Sequence, residues 1–67
     1  MTSYRVVPNK GDWKVMKGRN NSSNHRTVSE HLIKRTAEKK ARRLASPGDR
    51  LVILRGDGAI QKSVVVA

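Results

Sequence analysis

Hydrophobic and polar positions along the chain fall into patterned stretches separated by turn residues. The first, Tyr4-Arg5-Val6-Val7, is rich in strand formers, and Pro8-Asn9-Lys10-Gly11-Asp12 closes it with residues suited to a turn. Trp13-Lys14-Val15-Met16-Lys17 then alternates large and charged side chains, so the two pieces predict an antiparallel hairpin. Alternation across a strand puts Tyr4, Val6, Trp13 and Val15 on one face and Arg5, Val7, Lys14 and Met16 on the other. Residues 18–24 have no apolar period and are dominated by turn formers, which predicts a flexible loop bracketed by Arg19 and Arg26.

The longest periodic stretch, residues 27–45, predicts a helix. Thr27 and Glu30 have capping-box spacing at its start, and Ser46-Pro47-Gly48 ends it, because proline cannot supply the next amide. At about 100° per residue, Ile33, Thr36, Ala37, Ala41 and Leu44 share a stripe, while Lys34, Arg35, Lys39, Arg42 and Arg43 spread over the other side. Residues 50–54 are an apolar run of the kind found in strands buried on both faces. Arg55-Gly56-Asp57-Gly58 turns the chain, and residues 59–64 return as a last strand. The tail, Val64-Val65-Val66-Ala67, either prolongs that strand or leaves an apolar edge.

The expected architecture is a single α+β domain over residues 1–67. It is a four-stranded antiparallel sheet in β-β-α-β-β order with one helix packed on one face. Its expected core is Val6, Trp13, Val15, Ile33, Ala37, Ala41, Leu44, Leu51, Ile53 and Ile60.

Composition changes this picture in two ways. A chain of 67 residues is close to the lower size limit for a self-sufficient core, and with no cysteine it has neither disulfides nor a thiolate zinc site to help. Oligomerisation is the remaining route. The open sheet face, with Val7, Met16, Val52 and Leu54, or the last strand is the expected surface of a homodimer. No apolar run approaches the roughly 20 residues of a membrane span and the amino terminus has no hydrophobic signal region, so a cytoplasmic location without membrane association is expected.

The second change is charge. Fifteen Lys plus Arg against five Asp plus Glu give a formal +10, a balance that attracts polyanions at the expense of self-repulsion. Within the helix only Glu38 offsets Lys34, Arg35, Lys39, Lys40, Arg42 and Arg43, and positions 35, 39 and 42 form one line along the exposed side. Arginine forks onto phosphate oxygens, so such a line suits backbone contact without base reading.

Catalytic chemistry has no comparable pattern. His25 and His31 stand six apart with no third metal ligand at a recognisable spacing, so neither metal nor cofactor is expected. Asp12, Asp49 and Asp57 sit beside glycine or proline and read as turn formers, while Glu30 reads as a helix cap. No glycine turn carries the lysine and hydroxyl of a phosphate-cradling loop. With Tyr4 the other aromatic, Trp13 is needed for the core rather than as a stacking platform for single strands.

Tyr4-Arg5-Val6-Val7-Pro8-Asn9 with Trp13-Lys14-Val15, and later Leu51-Val52-Ile53 with Asp57-Gly58-Ala59-Ile60-Gln61, resemble the small prokaryotic and phage proteins grouped as domain of unknown function 2188. In that family these motifs recur around a helix preceded by histidine and threonine, here His25 and Thr27. The resemblance covers nearly the whole chain and implies the strand-strand-helix-strand-strand order but no activity. A looser, architectural likeness links the hairpin and helix to the amino-terminal arm-binding modules of phage-type integrases, which read DNA with their sheet.

The expected function is that of a small, basic, non-enzymatic nucleic-acid-binding protein, with duplex DNA favoured over RNA. Backbone contacts would come from Lys34, Arg35, Lys39, Arg42 and Arg43, helped by Arg19 and Arg26. The alternative from a different class is a protein-binding module, such as a phage-encoded effector that inhibits a host enzyme through its acidic surface.

Overall fold

The computed structural model describes residues 2–19 and 24–67. Its elements are β1 (Thr2–Asn9), β2 (Asp12–Arg19), β3 (Arg26–His31), α1 (Lys34–Leu44), β4 (Arg50–Leu54) and β5 (Ile60–Val65). The strands form one five-stranded mixed sheet in the order β3-β2-β1-β4-β5; β1 and β4 are parallel and the other neighbours antiparallel. This corrects the four-stranded antiparallel expectation, and the cause is β3.

Residues 27–31, expected to open the helix, instead join Arg26 in β3 and pair with β2. Thr27 and Val28 are β-branched and stiff at χ1, which favours strand over helix, and pairing gives the outer edge of β2 its hydrogen-bond partners. The Thr27–Glu30 capping box does not form. The N-cap is Ile33, in extended conformation with no side-chain cap, and Glu30 lies opposite Lys14 on the sheet. The helix is therefore 11 residues long rather than 19. One more pass across the sheet reverses the direction of everything after it, so β4 enters parallel to β1 through the crossover that parallel strands need. Of the expected loop, β2 absorbs Gly18 and Arg19, and residues 20–23 lie outside the described residues.

Both hairpins form where the turn residues predict. Lys10 and Gly11, with φ of 46° and 91°, make the two-residue turn between β1 and β2; two positive φ values match the right-handed twist of the flanking strands. Between β4 and β5 the Asp57 carboxylate accepts from the Ala59 amide at 2.9 Å, and the Arg55 amide donates to the Ala59 carbonyl at 2.7 Å. The helix stops at Ala45, which is extended at the C-cap; the Ser46 amide then donates to Asp49 Oδ2 at 2.9 Å, and Gly48 takes φ 95° in the turn that leads into β4.

The core lies between α1 and the sheet: Tyr4, Val6, Val15, Ala37, Ala41, Leu51 and Ile53 are buried, with Trp13, Ala45, Val64 and Val66 packed against them. The expected alternation of β1 and β2 holds, and three consecutive buried residues, Leu51, Val52 and Ile53, make β4 the strand buried on both faces. Full burial of a side chain such as Leu51 or Val15 is worth roughly 1.5–3 kcal/mol. Ala37 and Ala41 are completely buried because the small side chain lets the helix backbone settle onto the sheet. Three expected core residues are not there. Ile33 at the N-cap is 63% exposed, Leu44 in the last turn 37% and Ile60 at the start of β5 67%. Thr36, expected in the apolar stripe, is exposed as well. Thr36 lies about 100° round the helix from Ala37 and faces outward. Ile33, extended at the N-cap, and Leu44, in the last turn, sit at the ends of a helix that buries only Ala37 and Ala41 against the sheet. Ile60 pairs with Leu54 beyond the register shift of β4, off the helix-side face.

Candidate nucleic-acid interface

The helix carries its cations on a defined arc. Arg35, Lys39, Lys40, Arg42 and Arg43 are exposed and form a ridge along the side away from Ala37 and Ala41. Lys34 does not belong to it. Its ammonium lies 5.0 Å from the centroid of the half-buried Trp13 ring and donates to Gln61 Oε1, so it ties α1 to β2 and β5. Trp13, expected within the core, is half-buried and packs against its margin with Lys34 over its ring. Glu38, half-buried, occupies the same flank as Lys34, four residues on.

On the opposite flank α1 faces the edge strand β3. Ser29 and His31 lie across from Val15 and Trp13, so they share the helix-side face of the sheet. His31, Thr36, Lys39, Lys40, Arg42 and Arg43 line an open groove of about 470 Å³ between strand and helix. The ring of His31 is held by Ser29, with 2.6 Å between Ser29 Oγ and Nε2. No carboxylate lines this groove. Asp57 pairs with Arg55 at 3.5 Å, Asp49 caps Ser46, Glu30 is opposite Lys14, and Asp12 is opposite Asn9 beside the hairpin turn. Among the described residues the ion pair Arg55–Asp57 is the only one, and no ridge cation belongs to it.

Arg19 and Arg26 do not join the helix ridge directly. They line a second hollow of about 430 Å³ with Thr2, Lys17, Gly18, Asn24 and His25, at the end of the sheet where β1 begins. Lys17 and Arg26 are cross-strand partners on the helix-side face, with the Lys17 ammonium 5.9 Å from the Tyr4 ring centroid. The ring of His25 packs over Gly18, where a Cβ would lie 2.8 Å from its Cγ and 2.8 Å from the Asn24 carbonyl oxygen.

The other face of the sheet has no helix. There Arg5 stands between Met16 and Val52, Lys14 between Val7 and Glu30, and Arg50 donates to Ser63 Oγ at 2.9 Å. The apolar patch expected on this face is muted. Val52 is 8% exposed, and Val7, Met16 and Leu54 are half-buried.

The groove was not legible as a site because residues 27–31 read as helix. Once they read as a strand with a period of two, Ser29 and His31 fall on the face of Trp13 and Val15. Among the described residues no three metal-ligating side chains converge, and no helix is long and apolar enough to cross a membrane. No protein-family model, no curated protein and no solved structure matches the chain.

Proposed function

We propose that this is a small, non-enzymatic nucleic-acid-binding protein that holds the backbone of duplex DNA along the ridge of α1. The observation that carries the reading is the set Arg35, Lys39, Lys40, Arg42 and Arg43, all exposed on an 11-residue helix and all outside the one ion pair of the described residues. Like charges at helical spacing destabilise a helix by a few tenths of a kcal/mol per pair. Neutralisation by phosphates, with release of condensed counterions, offsets that repulsion. Membership of the domain of unknown function 2188 family belongs to the same proposal and rests on the residues of the two hairpins.

The particle that binds is a homodimer in this reading. Between the two expected surfaces, the last strand is the better supported. A two-fold contact through the open face would bring Arg5, Lys14 and Arg50 against their own copies, whereas β5 is an edge strand with Ile60 67% and Val65 54% exposed. The test of function is titration of arbitrary duplex DNA at increasing salt. Affinity that falls steeply with salt and ignores base sequence supports the reading. Absence of binding at low salt overturns it in favour of an acidic protein surface as the partner.

A further inference from the structure

The groove between β3 and α1 shares Lys39, Lys40, Arg42 and Arg43 with the ridge and adds a concave shape and the uncharged donors Thr36 and His31. A ridge of lysine and arginine meets any polyanion it touches. A groove with donors at several heights selects by shape. Its volume, about 470 Å³, leaves room for a phosphate group with part of its hydration shell.

The lining narrows the ligand class. Cationic ligands are disfavoured by a wall of Lys39, Lys40, Arg42 and Arg43 with no carboxylate. A single carboxylate ligand would leave most of these donors unused. A phosphate offers several oxygens at tetrahedral angles and takes forked donation from arginine, point charge from lysine and a hydrogen bond from a hydroxyl. Thr36, Lys40 and Arg43 are spaced i, i+4, i+7 and therefore form one line on the flank of the helix that faces β3. His31 stands across from that line as the contribution of the strand. Its orientation is set by the hydrogen bond between Ser29 Oγ and its Nε2, and an imidazole N–H is a donor suited to a phosphate oxygen.

We propose that this groove is a phosphate-binding site in which Thr36, Lys40, Arg43 and His31 hold a backbone phosphate of the bound nucleic acid. The inference rests on the nucleic-acid reading of the ridge and adds to it a fixed register: one phosphate is seated between strand and helix, and Arg35 and Arg42 reach its neighbours. The same chemistry would accept a free polyphosphate, so the source of the phosphate has to be distinguished by experiment.

The experiment is an NMR titration of the unmodified protein that follows the His31 ring and the Thr36 and Lys40 amides. The ligands are sodium pyrophosphate and a short DNA duplex, each set against sodium chloride at matched ionic strength. The expected result is saturable movement of all three signals with both ligands and none with chloride. The double variant Thr36→Val with Lys40→Gln changes two exposed positions. It should keep the dispersed spectrum, lose the His31 response, bind duplex roughly tenfold more weakly and lower the salt slope by about one. Duplex binding that moves the signals of Arg35, the ridge cation outside the groove, but leaves His31 and Thr36 still would overturn the groove while the ridge reading stands. A His31 response to pyrophosphate without one to bound duplex would overturn the backbone assignment and make free polyphosphate the ligand. No response to either ligand, with no duplex binding at low salt, would overturn the groove and the nucleic-acid reading together.

Discussion

Reversing Arg35, Lys39 and Arg42 to glutamate is the perturbation that bears most directly on the ridge. The three side chains are exposed and none packs against the core, so the fold should survive. Lys39→Glu places a carboxylate four residues before Arg43, the favourable order for a helical ion pair, while the like-charged pairs that the reversals create among positions 35, 38, 39 and 42 cost a few tenths of a kcal/mol each. The formal charge falls from +10 to +4, two units for each reversal. If the five ridge cations each neutralise one phosphate, the logarithm of the association constant should fall with the logarithm of salt at a slope of about −4.5, which is about a 500-fold loss between 50 and 200 mM. With two contacts left, the slope should flatten to about −1.8 and binding at low salt should nearly vanish, since three carboxylates now face the backbone. Fluorescence anisotropy of a labelled duplex at several salt concentrations measures both quantities, and circular dichroism checks that the helix persists. A triple variant with an unchanged slope would refute the reasoning. It would move the interface to Arg5, Lys14 and Arg50 on the open sheet face, or to Lys17, Arg19 and Arg26 at the sheet end.

Three further outcomes test the architecture. Leu51→Ala removes a fully buried side chain on β4 and should cost about 2–5 kcal/mol in urea unfolding, much of what so small a domain has; Leu44→Ala, at an exposed position, should cost far less. Gly18→Ala puts a methyl group 2.8 Å from the His25 ring and the Asn24 carbonyl oxygen, so it should destabilise by about 1–3 kcal/mol and shift the His25 ring signals. Sedimentation at micromolar concentration should give about twice the 7.5 kDa chain mass and revert to one chain on Ile60→Lys with Val65→Lys; one chain mass for the unmodified protein would refute the dimer.

Legibility from sequence followed the range of the forces involved. The two hairpins were readable because their turns are local: Gly11 and Gly58 supply the positive φ that the turns need, and the Asp57 carboxylate accepts from the Ala59 amide. The alternation of Tyr4, Val6, Trp13 and Val15 named the face under the helix for the same reason. The first half of the helix was misread because Thr27 and Glu30 satisfy a local capping rule, while the preference that prevailed, edge pairing with β2, depends on a partner strand distant in the chain. That error propagated to strand direction, to the burial of Ile33 and Thr36, and to the groove, which exists only where β3 runs beside α1. The exposed ridge needed none of this, since the period of the helix alone places Arg35, Lys39 and Arg42 on one line.

The parallel pairing of β1 with β4 sets an order of events during synthesis. Ser3 lies against Arg50 and Val6 against Ile53, so the inner edge of the first strand stays unsatisfied until the chain has passed through the helix. The meander of β1, β2 and β3 can form early, but it carries that bare edge and an uncovered apolar face while translation continues. Contacts of such long sequence separation also slow the final closure relative to a helical bundle of equal length. A nascent chain stalled before Arg50 should therefore be aggregation-prone and protease-sensitive, and release of the β4 residues from the ribosome is the step at which protection should appear.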